Sequence, residues 1–119
     1  MCLGMIDMAS GNLNLRNEQI RSYCRINKKA LFDFADIESY DPDTLVNYMP
    51  MNCSDACNYD SSGTAVNWAS SWITRNPNHE LTRLANACGG CAHSERLNCI
   101  LKARAFWWMM ARLAGWSGQ

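Results

Sequence analysis

Seven cysteines constrain this 119-residue chain more than any other feature, because each sulfur is paired, liganded or left as a thiol, and each choice selects a different kind of fold. Cys53 and Cys57 stand four apart in a polar stretch. Cys88, Cys91 and Cys99 surround a Gly-Gly turn and the start of an apolar segment, while Cys2 and Cys24 stand alone. An odd total cannot pair completely within one chain, so at least one thiol is free, liganded or shared with another molecule. For an exported protein the expectation is a local disulfide between Cys53 and Cys57 and another among Cys88, Cys91 and Cys99. Zinc is the alternative, held by Cys53, Cys57, Cys88 and Cys91 with His93 nearby, because thiolates and imidazole suit its tetrahedral shell. The 30 residues between the two pairs exceed the spacing of compact fingers, so no cofactor is the first expectation.

A chain of this length forms one domain, here residues 1–119. With 48% apolar residues and five tryptophans against 18% charged, disorder is excluded. Eleven basic and eleven acidic residues cancel, which removes the electrostatic footprint of a nucleic-acid or polybasic membrane binder. The most apolar stretch, Leu97 to Trp116, carries Lys102, Arg104 and Arg112 and does not read as a bilayer span. Asp7 interrupts the first apolar run and no basic region precedes it, so no secretory leader is legible. Localisation stays open, with the cysteine content pointing to export of a longer parent.

Met1 to Met8 reads as a strand. Leu13, Ile20, Tyr23 and Cys24 then recur at helical spacing from a cap near Asn12, and Lys28 and Lys29 complement the helix end. Ala30 to Ala35 is an apolar run of strand length, which makes the first third a parallel βαβ unit. From Asp33 to Asp60 come seven carboxylates and no base, an acidic irregular connection that lacks the glycine and distal glutamate of an EF-hand. Ala65 to Arg75 reads as a helix stopped by Asn76-Pro77, and Leu81, Leu84, Ala85 and Cys88 as another short one. The last helix is capped by Ser94 and terminated at Gly115. Its apolar residues wrap most of its circumference, so burial on more than one side is expected, with Trp107 and Trp108 in packing and the guanidinium groups of Arg104 and Arg112 over the Trp108 indole. The fold class is a helix-rich α/β domain: a two-stranded βαβ unit, then two or three helices, the last long and strongly apolar. Candidate ligand-binding residues are Trp68 and Trp72, four apart as an aromatic platform, and the acidic Asp36 and Glu38.

The segments NLNLRNEQIRSYC, ALFDFADIESYDPD (residues 30–43) and CAHSERLNCILKARAFWWMMARLAGW together resemble the C-terminal half of bacterial SGNH-type (GDSL-like) hydrolases. The resemblance implies a flavodoxin-like sandwich and an ester-cleaving Ser-His-Asp triad, with His93 as the catalytic histidine. The family's GDS block and oxyanion blocks have no counterpart before Met1, and Gly90 stands where the triad aspartate belongs. On that likeness the chain is an incomplete hydrolase domain, inactive by itself, that persists as an oligomeric packing or binding module for a small molecule of unspecified kind. A working esterase whose serine comes from a partner chain or from missing sequence is one alternative, and a Cys/His zinc module another. Two strands leave sheet edges and apolar faces to be covered, so a homo-oligomer is expected, with no nucleic-acid or membrane partner.

Overall fold

The structure, a computed structural model, describes residues 11–43, 45–51 and 53–118. Among them the protein is helix-rich, with five α-helices and one two-stranded sheet. The strand expected over Met1–Met8 lies outside the described residues.

Helix α1 spans Asn12–Ile26 and follows its apolar spacing, with extended Gly11 rather than Asn12 as the cap. The Asn27 side chain closes its end by donating to the Tyr23 carbonyl (2.8 Å), and Lys28 at φ 51° turns the chain away. No residue of α1 is buried; Arg21 ties it to the body by donating to Asp33.

Ala30–Ala35 is not the second strand of a parallel unit. The chain runs irregularly to Asp33 and then forms α2, Phe34–Ser39. The reason is local: the Asp33 carboxylate accepts from the Asp36 N–H (3.1 Å), an N-cap that starts a helix where hydrophobicity alone suggests a strand. The only sheet among the described residues is instead an antiparallel hairpin, β1 (Asn58–Ser61) with β2 (Thr64–Asn67), in which Tyr59 faces Val66. Its two-residue turn holds Ser62 at φ 56° and Gly63 at φ 85°, the left-handed pair that matches strand twist, and Asp60 accepts from the Gly63 N–H (2.6 Å).

The helix expected over Ala65–Arg75 therefore begins later, as α3, Trp68–Arg75. Asn67 ends β2 and caps α3, accepting from the Ser70 N–H at 2.9 Å. Next comes α4, Glu80–Ala87, capped by His79, whose Nδ1 accepts from the Leu81 N–H. The core gathers Trp68, Ala69 and Trp72 of α3, Leu81 and Ala85 of α4, and Leu97 of the last helix around Cys53, Cys57 and Tyr48. Tyr48 stacks on Trp68 at 5.6 Å between centroids and 10° between planes.

Helix α5 spans Arg96–Leu113, and its cap residue is Glu95, not Ser94. Its end is as expected: Gly115 takes φ 97° and donates to the Arg112 carbonyl, while Trp116 donates to the Ala111 carbonyl, a Schellman closure. Burial is not as expected. Only Leu97 and Asn98 of α5 are buried, because the six-residue α2 and eight-residue α4 are too short to run beside all 18 residues of it. No helix among the described residues is long and apolar enough to cross a membrane.

Candidate functional site

Helix α2 is pinned to α5 by an ion pair between Glu38 and Lys102, whose ammonium also lies 4.7 Å from the Phe34 ring centroid. Asp33 is the second anchor. Burial disfavours its charge, but hydrogen bonds from Arg21 and the Asp36 amide outweigh that and hold its carboxyl below the usual range. After Ser39 the chain swings outward through Tyr40-Asp41-Pro42. A cavity of 450 Å³ opens between this swing, α2 and α5.

Its wall is mixed. Ile37, Pro42, Leu101 and Ala105 supply its apolar lining, and Asp36, Asp41 and Tyr40 its polar groups. Asp41 is only 4% exposed. Its Oδ2 accepts from the Tyr48 hydroxyl at 3.2 Å, and its buried Oδ1 has no hydrogen-bond partner among the described residues. A buried acceptor left unmade costs about 1–3 kcal/mol, so this oxygen marks a place where the fold gives up stability. Burial and the Asp41 charge push the Tyr48 hydroxyl up to about 12, so it remains a donor to Asp41 at any ordinary pH. Asp36 has no ion pair among the described residues; partial desolvation, with the charge of Asp33, raises its carboxyl above the usual value against a smaller opposing effect of Arg21. Asp36 and Tyr40 also border a second, more polar groove of 370 Å³ against α1.

The electrostatics follow from the acidic run. Of its seven carboxylates, Asp33 is matched by Arg21 and Glu38 by Lys102, and Asp43 accepts from the Trp72 indole at 2.8 Å. Asp36 and Asp41 both line the cavity, and among the described residues neither is in an ion pair, although Arg21 partly offsets the rise of the Asp36 carboxyl. A lining that mixes carboxylates with aliphatic side chains suits a positively charged group that carries hydrocarbon.

The other candidate residues lie elsewhere. Glu38 is buried against Lys102 and does not face the cavity; burial raises its carboxyl, with Lys102 opposing. Trp68 and Trp72 are core residues and present no platform to solvent, because both indoles are enclosed by α3, α4 and Tyr48. His93 is exposed at φ 55° in the turn before α5, away from the cavity walls. Cys91 and Cys99 form a disulfide that staples this turn to α5. Cys53 and Cys57 are not joined but remain buried free thiols, as Cys88 and Cys24 remain free at half-buried positions. With Cys91 committed to sulfur, the four-cysteine zinc set is not assembled, and no group of three or more His, Cys, Asp or Glu side chains converges among the described residues. Burial pushes the Cys53 thiol up to about 12 and that of Cys57 to about 11, the latter despite hydrogen bonds from the Glu95 backbone and the Asn98 amide. Both are packing thiols in the resting structure. Arg112 lies over the Trp108 ring at 5.6 Å, whereas Arg104 turns to Glu80.

Sequence reasoning reached Asp36 but missed Asp41 and Tyr48. The signal was present as a run of acids without bases, but which acids stay unmatched depends on Arg21 and Lys102, both distant in sequence. No family model, curated protein or solved structure matches the chain. The parallel βαβ unit implied by the hydrolase resemblance is not found among the described residues, and that resemblance carries no further argument.

Proposed function

We propose that the protein is a small-ligand binding module whose cavity between α2, the Tyr40–Pro42 turn and α5 takes an organic cation with an apolar body, such as an alkylamine. The observation that carries this reading is the lining of the cavity, where the carboxylates of Asp36 and Asp41 stand with Ile37, Leu101 and Ala105 and neither is in an ion pair among the described residues. An ammonium or guanidinium donor pairs with the exposed Asp36 carboxylate, the charge of Asp41 adds to the attraction, and hydrocarbon on Ile37, Leu101 and Ala105 adds about 25 cal/mol per Å² buried. The volume is within the range of small-molecule sites.

Calorimetric titration with hexylammonium, hexanoate and tetramethylammonium tests it. Hexylammonium is expected to bind at millimolar affinity or better, tetramethylammonium more weakly and hexanoate not at all. Asp36→Asn is expected to weaken hexylammonium about tenfold, the loss of one charge-assisted contact. Because the Asp36 carboxyl is raised, affinity declines as pH falls through its value, and that decline disappears in Asp36→Asn. Equal binding of hexanoate, or no saturable binding of either amine up to about 10 mM, refutes the proposal.

A further inference from the structure

Cys91 and Cys99 are joined eight positions apart, and three positions before Cys91 the Cys88 thiol is left free in a Cys-Gly-Gly-Cys stretch. The three cysteines are held differently. The Cys88 N–H donates to the Leu84 carbonyl at 2.9 Å, which ties it to the end of α4, and the Cys99 N–H donates to the Glu95 carbonyl at 3.1 Å within the first turn of α5. Cys91 belongs to neither helix. It lies on the connecting turn behind Gly89 and Gly90, both exposed, where even an added Cβ would meet nothing within 4 Å, so its backbone is free to swing toward either side. The two anchors share one end of a helix pair. Arg104 reaches back to Glu80 at 3.2 Å, and Leu84 and Ile100 line one groove, so α4 and α5 run antiparallel with Cys88 and Cys99 both at the turn between them. All three cysteines are half-buried, outside the closed core.

We propose that Cys88, Cys91 and Cys99 form a thiol–disulfide exchange site whose substrate is the chain's own disulfide, with Cys91 alternating between Cys99 and Cys88. The Cys88 thiol first gives its proton to solvent. Its thiolate attacks the Cys91 Sγ, the Cys88–Cys91 bond forms as the Cys91–Cys99 bond breaks, and the bonding pair leaves on Cys99, which then takes up a proton. One disulfide and one thiol stand on each side of the step, so no oxidant or reductant is consumed. The leaving group is well placed. A thiolate released at Cys99 sits in the first turn of the 18-residue α5, where the positive end of the helix stabilises negative charge, and a better-stabilised thiolate departs faster. The exchange moves a staple: residues 91–95 are fastened to α5 in one state and to the end of α4 in the other. None of the three cysteines lines the cavity of Asp36 and Asp41, so the exchange stands apart from ligand binding there.

Trypsin separates the two pairings, because Arg83, Arg96 and Lys102 bound one peptide holding Cys88 and Cys91 and a second holding Cys99. The full chain is kept for about an hour at about pH 8 without added thiol or oxygen, on the timescale of disulfide rearrangement, then trapped with N-ethylmaleimide in mild acid and digested. The expected result is a mixture of residues 84–96 bridged to 97–102 and of internally bridged 84–96 beside 97–102 alkylated at Cys99. The second form is expected in about one chain in ten or more, an exchange constant within about a decade of unity. Cys88→Ser leaves Cys99 protected from alkylation, Cys24→Ser does not, and the intact mass without reductant stays at that of one chain, 13.4 kDa. A Cys99 that is never alkylated overturns the proposal, whether its partner is Cys91 or Cys88. So does alkylation of all three cysteines, which means that no disulfide is held there, and alkylation of Cys99 that persists in Cys88→Ser, which assigns the attack to another thiol. A disulfide-linked pair of chains overturns it in favour of exchange between molecules.

Discussion

Replacing Lys102 with methionine keeps an unbranched apolar stem of similar size and removes the ammonium, with its place over Phe34 and its bond to Ser94, leaving the Glu38 carboxylate between α2 and α5 without its partner. Removing one member of a buried ion pair costs about 3–5 kcal/mol, and with side-chain exposures of 14% and 10% this pair belongs at the lower end, about 3 kcal/mol. For a chain of this length about 1 kcal/mol moves the melting temperature by about 4 °C, so Lys102→Met is expected to melt about 12 °C lower at pH 7.5. The penalty depends on pH in a definite direction. Burial already raises the Glu38 carboxyl and Lys102 opposes the rise, so without Lys102 the folded-state value climbs further. A carboxyl raised in the folded state weakens the fold where it is ionised, and the loss is regained as pH falls through the folded value toward the unfolded one. The melting difference between wild type and variant therefore narrows between pH 7.5 and about 4.5, near the unfolded value of a glutamate. Differential scanning calorimetry across that range measures it, and in a Glu38→Gln background Lys102→Met costs about 1 kcal/mol or less. A penalty that is flat in pH, or equally large beside Glu38→Gln, refutes the assignment to an uncompensated carboxylate.

Leu97→Ala empties a fully buried position where α5 meets α3 and α4, and denaturant titration should show a loss of about 2–5 kcal/mol. Asp33→Ala removes the cap of α2 together with the anchor of Arg21, a loss of about 1–2 kcal/mol that the same titration measures. Iodoacetamide at pH 8 should modify Cys24 and Cys88 well before Cys53 and Cys57, whose thiols are buried and held protonated; peptide mass mapping reads the order, and early labelling of Cys57 contradicts its place in the core.

Where the chain's pattern was local, the sequence was readable. The apolar spacing of α1, the Leu81-Leu84-Ala85 stripe of α4 and the glycine closing α5 each state their own structure within a turn or two. Ala30–Ala35 misled because its hydrophobicity suits a strand while the capping chemistry of Asp33 and Asp36 is helical, and the cap decides once Arg21 fixes Asp33. The hairpin was hidden for the opposite reason: Asn58–Asn67 has almost no apolar alternation, and only the Asp60-Ser61-Ser62-Gly63 turn announced it. Apolar residues on α5 suggested burial, but burial needs neighbours long enough to cover them, which no single segment discloses. The cavity was half visible, since acids without bases can be counted but their distant partners cannot.

Asn67 joins two elements with no residue between them, and this sets an order of events along the folding path. Besides capping α3, its amide nitrogen donates to the Ala56 carbonyl at 2.8 Å and to the Asn58 side chain at 3.1 Å, so hairpin and helix are bound through one residue within 11 positions of chain, with a longer contact to Glu95 at 3.3 Å added when α5 arrives. Loops that short close in tens of nanoseconds and hairpins form within microseconds, whereas α2 must find Lys102 across 64 positions. The segment from Ser54 to Arg75 is thus the natural nucleus, on which Tyr48 and then α5 condense. Asn67→Ala should slow refolding nearly in proportion to the stability it removes, while Lys102→Met should chiefly hasten unfolding.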